Sequence, residues 1–255
     1  MSEDPGTRPL DERSVTPGEP WLPVEVFDRL GSTNDEVRER PRPWRVVVAE
    51  QQDAGRGRLG RSWETTPGTA LAVSVLVPAP PSGPSWVPLL TGLAVQRAVA
   101  EVAGVSTALK WPNDVLVPSD DDRKLAGILC EWTAEGVVAG LGLNVDTARD
   151  DLPLDTATSL RAAGAPGVDR ATLLTAVLVH LARLLREDTG PGGAVQSAYL
   201  DACATIGRDV EVHEPGGRVR TGVATGVDEA GRLTVRSGQT TDAVSAGDVV
   251  HVRSR

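Results

Sequence analysis

Cysteine and lysine are nearly missing from this 255-residue chain, each occurring only twice. Two cysteines, Cys130 and Cys203, make neither a disulfide framework nor a metal cluster. Each lies in an apolar run (GILCEW and AYLDACA), so both read as small buried thiols. Histidine is almost as scarce: His180 falls in a helical stretch, His213 and His251 in C-terminal strands. They form no convincing Ser-His-Asp or Cys-His set, which argues against a protein nucleophile or histidine acid–base chemistry. No apolar leader and no spanning run is present, so a cytoplasmic protein is expected. An excess of basic residues is missing too: the net charge is -9 and the pI about 4.9. A general nucleic-acid binder needs such an excess to displace counterions. A local basic loop can still bind a small anion.

What remains is ordinary for a soluble globular protein, with 40% hydrophobic and 24% charged residues. The length suits one large domain, or a medium domain with a small partner. Against this background the two lysines stand out. A chain that uses arginine as its default cation writes Lys110 and Lys124. Either this is chance drift, or a compact ammonium is needed where a planar guanidinium would not serve.

Residues 1–22 are rich in Pro, Gly and charge without apolar periodicity, and read as a disordered tail. Such a tail is too short and polar for a helix-turn-helix. From Val24, VEVF and RVVVAE read as strands flanking a short helix, STNDEVRER, with Ser32, Thr33 and Asn34 as candidate caps. Thr33 and Glu36 are spaced as a capping box. ALAVSVLVP is a continuous apolar strand. A helix then runs to Gly104, followed by strand-like ALKWPNDVLV, KLAGILCEW and GVVAGLGLNVD, expected to be antiparallel. A second long helix spans Asp169, its N-cap, to Glu187; another helical stretch ends near Ala204. Short alternating strands with Gly turns over 207–253 predict a small β-barrel. The expected fold class is α+β: a mixed, largely antiparallel sheet with helices, plus a small C-terminal SH3-like barrel. The domain reading is a tail over 1–22, a main domain over 23–205 and the barrel over 206–255.

The stretch DAGRGRLGRSW spells G-x-G-x-x-G at Gly55, Gly57 and Gly60. A dinucleotide-binding turn must open a helix. Here Pro67, Gly68 and a β-rich run follow, so that reading fails. Arg56, Arg58 and Arg61 with glycine backbone amides could instead grip a phosphate, since guanidinium pairs bidentately with its oxygens. Taken alone, the loop could equally be a solvated hairpin tip.

Five motifs together decide: STN (Ser32–Asn34), AEQQDAGRGRLGRSW (from Ala49), LKWPND (Leu109–Asp114), RKLAGIL (Arg123–Leu129) and GLGLNV (Gly140–Val145). In this order and spacing the chain resembles the biotin protein ligases over residues 25–253, and both lysines fall inside the motifs. The resemblance implies an enzyme that forms biotinyl-5'-AMP from biotin and ATP. It then transfers biotin to one lysine of a biotin carboxyl carrier domain, forming a carbon–nitrogen bond. It implies catalytic roles for Lys124, Arg58 and Lys110, with Lys124 bridging carboxylate and α-phosphate. It places Ser32, Thr33, Asn34, Gln52, Arg56, Gly57 and Gly127 at biotin. Arg58, Arg61, Trp63, Asn113 and Asn144 would meet ATP or the adenylate, and Asp114 would hold Mg²⁺. Mg²⁺ needs only one or two protein carboxylates. No tightly bound prosthetic group, DNA or membrane partner is implied; the state is a monomer or weak homodimer. Bifunctional relatives carry an N-terminal DNA-binding domain that residues 1–22 do not supply, so a monofunctional enzyme is expected.

One departure from the family pattern is the run Asp120-Asp121-Asp122 just before Lys124, read as a solvated hairpin tip. Two other functions stay open: a lipoate–protein ligase of the same fold, and a non-catalytic nucleic-acid-binding module. The pairing of KWPND with GRGRLGR favours biotin over lipoate, and the acidic balance opposes nucleic acid.

Overall fold

The β-branched runs form strands in the computed structural model, which describes residues 9–64, 66–245 and 247–252. Seven of them share one mixed sheet. Its order is β1 (Glu25–Leu30), β2 (Val46–Gln52), β3 (Ala70–Val77), β7 (Gly136–Asn144), β6 (Arg123–Thr133), β5 (Asp114–Val117), β4 (Ala108–Lys110). β1 and β2 are parallel, joined through helix α1 (Thr33–Glu39). The other pairings are antiparallel.

Period-two alternation assigns the faces. Val46 and Val48 of β2 enter the main core with Trp86, Leu90 and Leu93 near or in α2 (Val87–Ala103) and with Leu174 and Leu178 of α3 (Arg170–Glu187). Val47 points the other way, joining Val37 of α1, Leu76 and Val138. The short α1 covers only part of that second face. Beyond Val138, the same face of β7 carries Gly140 and Gly142, which leave bare backbone. This opening is where the site lies.

The helix ends follow their sequence signals at α2, which stops at Gly104 in the left-handed region, and at α3, whose Asp169 cap accepts from Thr172 N at 2.8 Å. The box expected at α1 is not made. Ser32 is the N-cap without a side-chain cap bond, because Thr33 Oγ1 turns to Gln52 and Ser74 instead.

After α4 (Ala194–Ala202) the chain crosses to a five-stranded antiparallel sheet: β8 (Asp209–His213), β9 (Val219–Val227), β10 (Leu233–Ser237), β11 (Thr240–Val244) and β12 (Asp248–His251). Three side chains of the main unit fix it in place. Trp86 Nε1 donates to Glu229 O (2.8 Å), Trp111 Nε1 to Gly231 O (3.0 Å) and Ser85 Oγ to Ala230 O (2.6 Å).

The tail expectation fails from residue 9 onward, while residues 1–8 lie outside the described residues. Val15 and Trp21 are buried, and Trp21 Nε1 donates to Leu178 O at 2.9 Å with its ring edge-on to Trp44. Leu10 N donates to Glu50 Oε1. Two apolar anchors and one carboxylate outweigh a composition that suggested disorder. Trp21→Phe is expected to lower stability by about 1–2 kcal/mol, because a buried carbonyl loses its donor. Urea unfolding checks this; a free tail would give no change.

Candidate active site

One cavity of about 810 Å³ opens on the face that α1 leaves uncovered, and every candidate site residue named from the sequence lines it. At one end, α1 and β2 bring neutral polar groups together. Gln52 Oε1 accepts from Thr33 N (2.9 Å) and Thr33 Oγ1 (3.1 Å), and Thr33 Oγ1 in turn accepts from Ser74 Oγ (2.7 Å). Among the described residues the Ser32 hydroxyl and the Gln52 amide nitrogen make no hydrogen bond, so both remain available to a ligand. Asn34 does not. It is buried, donates to Leu129 O and Glu131 Oε2, and accepts from Ser74 Oγ (2.6 Å). Its amide supports the pocket wall rather than facing a ligand.

The glycine/arginine loop is a tight hairpin with Arg56 bridged to Ser62 and no following α-helix, so the dinucleotide reading is excluded. Gly55 is required by close approach, since a Cβ there would lie 2.2 Å from Trp63 O. The three arginines part company. Arg56 reaches Asp35 (2.6 Å) and Glu131 (3.3 Å), and Arg61 grips both oxygens of Asp248 in β12. Arg58 turns inward, donating to Asn113 Oδ1 (3.0 Å) and Gly247 O (3.3 Å). Burial lowers its pKa, opposed by the charges of Asp248 and Asp114. Asn113 is thereby a brace: its other amide group donates to Ile128 O at 3.0 Å.

At the floor, Gly127 of β6 pairs with Gly142 of β7, and the Trp63 indole lies on this bare patch. Lys124 Nζ sits 5.9 Å from the Trp63 ring centroid and 2.6 Å from Asp114 Oδ1. Lys110, opposite Asp114 in the β4–β5 pair, has no hydrogen-bond or ion-pair partner among the described residues. Burial lowers its pKa, with Asp114 opposing and Lys124 adding to the fall. Its ammonium is therefore poorly compensated, as suits a group awaiting an anion. Asp114 is a single half-buried carboxylate, and no group of three or more metal-ligating acids, cysteines or histidines exists among the described residues. That donor set fits a Mg²⁺ carried in by a nucleotide and keeping most of its waters, with Asp114 as its protein ligand.

Two contributions had no sequence signal, and a third was read differently. Segment 153–158 forms a strap whose residues 153–157 line the cavity wall, held by Lys124 N donating to Thr156 O (2.8 Å). Asn144 Nδ2 donates to Thr158 O (2.9 Å), so this amide too is committed to the strap. Arg208, just before β8, and His251 of β12 join the lining from the C-terminal unit. Finally, the acidic turn is a solvated tip only in part: Asp121 is 76% exposed, whereas Asp120 and Asp122 are largely enclosed. Asp120 pairs with Arg123 and Arg149, Asp121 with Arg123, and Asp122 with Arg208. Arginines gathered from distant segments neutralise it, which the local sequence does not reveal.

His251 accepts at Nδ1 from Arg208 (3.2 Å), leaving its proton on Nε2 toward Thr205 Oγ1 (3.1 Å). Burial, then the positive Lys110 and Arg208, push its pKa down to about 4, with Asp122 opposing. The folded state thus binds fewer protons than the unfolded between 6.5 and about 4. Stability is lost as pH falls through that window. His251→Gln is expected to shrink the stability difference between about pH 7 and about pH 5, measured by urea unfolding.

Fold and site together define a ligase that joins a small cofactor to protein: residues 26–147 match the Biotin/lipoate A/B protein ligase family and residues 205–252 the Biotin protein ligase C terminal domain. Within that class, the chain belongs to the biotin protein ligases. It is 38% identical over 261 residues to the biotin–[acetyl-CoA-carboxylase] ligase of Mycobacterium tuberculosis, covering 96% of this chain and 97% of that protein. The biotin protein ligase from Aquifex aeolicus in complex with biotin and ATP superposes with a TM-score of 0.77 at 25% identity, over 91% of this chain and 99% of that one. The Leishmania major enzyme in complex with biotinyl-5-AMP gives 0.60 at 25% identity, over 90% and 100%.

Proposed function

We propose that this chain is an ATP-dependent biotin–[biotin carboxyl-carrier protein] ligase that works through biotinyl-5'-AMP. The observation that carries the reading is one continuous cavity with a neutral hydroxyl/amide end (Ser32, Thr33, Gln52) and a cationic end (Arg58, Lys110, Lys124). The first end matches a uncharged urea, the second a carboxylate beside a triphosphate. The relatives holding biotin with ATP, and biotinyl-5-AMP, support it.

In the first step a biotin carboxylate oxygen attacks the α-phosphorus, the bond to the bridging oxygen breaks, and pyrophosphate leaves. Arg58 and Lys124 hold the two anions together and stabilise charge on the non-bridging oxygens. Lys110 meets the leaving polyphosphate. Mg²⁺, when bound with ATP at Asp114, supplies further charge neutralisation there. In the second step the neutral ε-amine of an acceptor lysine attacks the acyl carbon, the acyl–phosphate bond breaks, AMP leaves and the nitrogen loses a proton. Arg56 and Gly57 close over biotin, Gly127 leaves room beside it, and Trp63, Arg61 and Asn144 border the nucleotide.

The partner is a carrier domain presenting one lysine; DNA and membrane play no part, and the enzyme acts as a monomer or weak homodimer in the cytoplasm. No helix among the described residues is long and apolar enough to cross a membrane. Biotin-dependent ATP–pyrophosphate exchange tests the reading. Exchange with lipoate alone would establish the lipoate ligase, and salt-sensitive DNA affinity without exchange would establish the binding module.

A further inference from the structure

The side chain of Asp120 is 15% exposed, although it lies in a turn between two strands. Its Oδ1 accepts from Arg123 Nη1 at 2.8 Å. Its Oδ2 accepts from Arg149 Nη2 at 2.7 Å and Thr158 Oγ1 at 2.5 Å. These donors come from the start of β6, from the segment after β7, and from the strap. The strap then binds the backbone of Lys124 on both sides: Lys124 N donates to Thr156 O and Thr158 N to Lys124 O, each at 2.8 Å. Arg123 Nε also donates to Asp155 O at 2.9 Å. The contacts close a ring, from Asp120 through Thr158 to the Lys124 backbone and back through Arg123.

We infer that Asp120 is a positioning residue for Lys124, its carboxylate fastening the strap across the start of β6 and so fixing the backbone from which the Lys124 ammonium reaches into the cavity. Lys124 needs this support because a four-carbon stem magnifies any backbone shift. The strap lies outside any helix and meets the sheet through one isolated bridge and a few side-chain bonds, among them Asn144 Nδ2 to Thr158 O, so the Asp120 fastener carries much of its hold. Burial alone would raise the Asp120 pKa, but Arg149, Thr158 and Arg123 together lower it, so the fastener stays ionised at neutral pH.

This inference rests on the ligase reading, and steady-state biotin-dependent pyrophosphate exchange separates the two. No exchange by the wild-type chain would sink the ligase reading itself. With wild-type exchange in hand, Asp120→Ala is expected to lower kcat by at least about 10-fold, since misplacing a catalytic group by about 1 Å can cost about 10²-fold. KM for biotin should stay within about two-fold, because the uncharged end of the cavity on α1 and β2 is untouched. Asp120→Asn, which keeps an acceptor for Thr158, should lose less. Thr158→Val should lose part of the same factor and add little in the double variant, the mark of one shared pathway. Exposed Asp150 serves as control, and Asp150→Ala should behave as wild type. Unchanged kcat in Asp120→Ala, or kcat and KM altered by equal factors, would overturn the inference. If Asp120→Ala does not fold, Thr158→Val decides alone, its kcat falling or not at constant KM.

Discussion

Replacing Lys124 by arginine is expected to reduce biotin-dependent pyrophosphate exchange by about 10²–10³, the usual cost of losing one preorganised donor to a developing oxyanion. Charge is conserved in this change, so the loss reports geometry. Lys124 Nζ lies 2.9 Å from where a Cβ on Gly127 would sit, between Asp114 and the Trp63 ring. A compact ammonium fits that gap. A planar guanidinium with donors in a rigid fork would have to displace Trp63 or leave Asp114. Folding should be unaffected, because the side chain is partly solvent-exposed and its ion pair contributes little to stability. Near-normal exchange by the arginine variant would show that charge alone suffices at this position.

Gly142→Ala should be almost as damaging. A Cβ at Gly142 would fall 2.1 Å from Trp63 Cε2 and within 2.5 Å of Trp63 Nε1. No rotation of a methyl group relieves this, so the indole must leave the glycine floor, taking with it the loop that carries Arg56 and Arg58. Exchange should fall by about 10² or more, as expected when catalytic groups are misplaced by an ångström or so. The strand itself tolerates alanine, so Tm should move by only a few degrees, about 1 kcal/mol. A large fall in Tm with proportionate loss of activity would instead mark Gly142 as a packing glycine. Measuring exchange and thermal unfolding on the same preparation distinguishes the two.

The site's composition was legible because each motif carries residue types whose chemistry is specific: two lysines in an arginine-biased chain, an arginine/glycine loop, and a polar STN beside a strand. The family's function followed from their order. Less legible was the division of labour among them. Asn34 and Asn113 looked like ligand groups, yet their amides are consumed by Glu131, Ser74, Arg58 and main-chain carbonyls. An asparagine is written the same way whether it faces a ligand or braces a neighbour. The residues near 9–22 misled for a similar reason: composition registers the many polar residues there, while two buried anchors fix the conformation.

The DAGRGRLGRSW loop shows the boundary between the two levels. By itself the sequence argued against a helix after the glycines, because Pro67 and Gly68 break one and a continuous apolar run with valine at every second position from Val73 follows. It also determined the two faces of each strand, because side-chain alternation is a local property of extended backbone. All three arginines line the cavity, but which of them turns to its interior was decided only by tertiary structure. Asp35 and Glu131 draw Arg56, Asp248 draws Arg61, and Arg58 is left for Asn113 and the interior. The acidic turn was settled in the same way, by Arg149 and Arg208 arriving from segments 29 and 86 residues away. Charge pairing depends on distance in space, and the chain's folding brings those partners together where no local pattern records them.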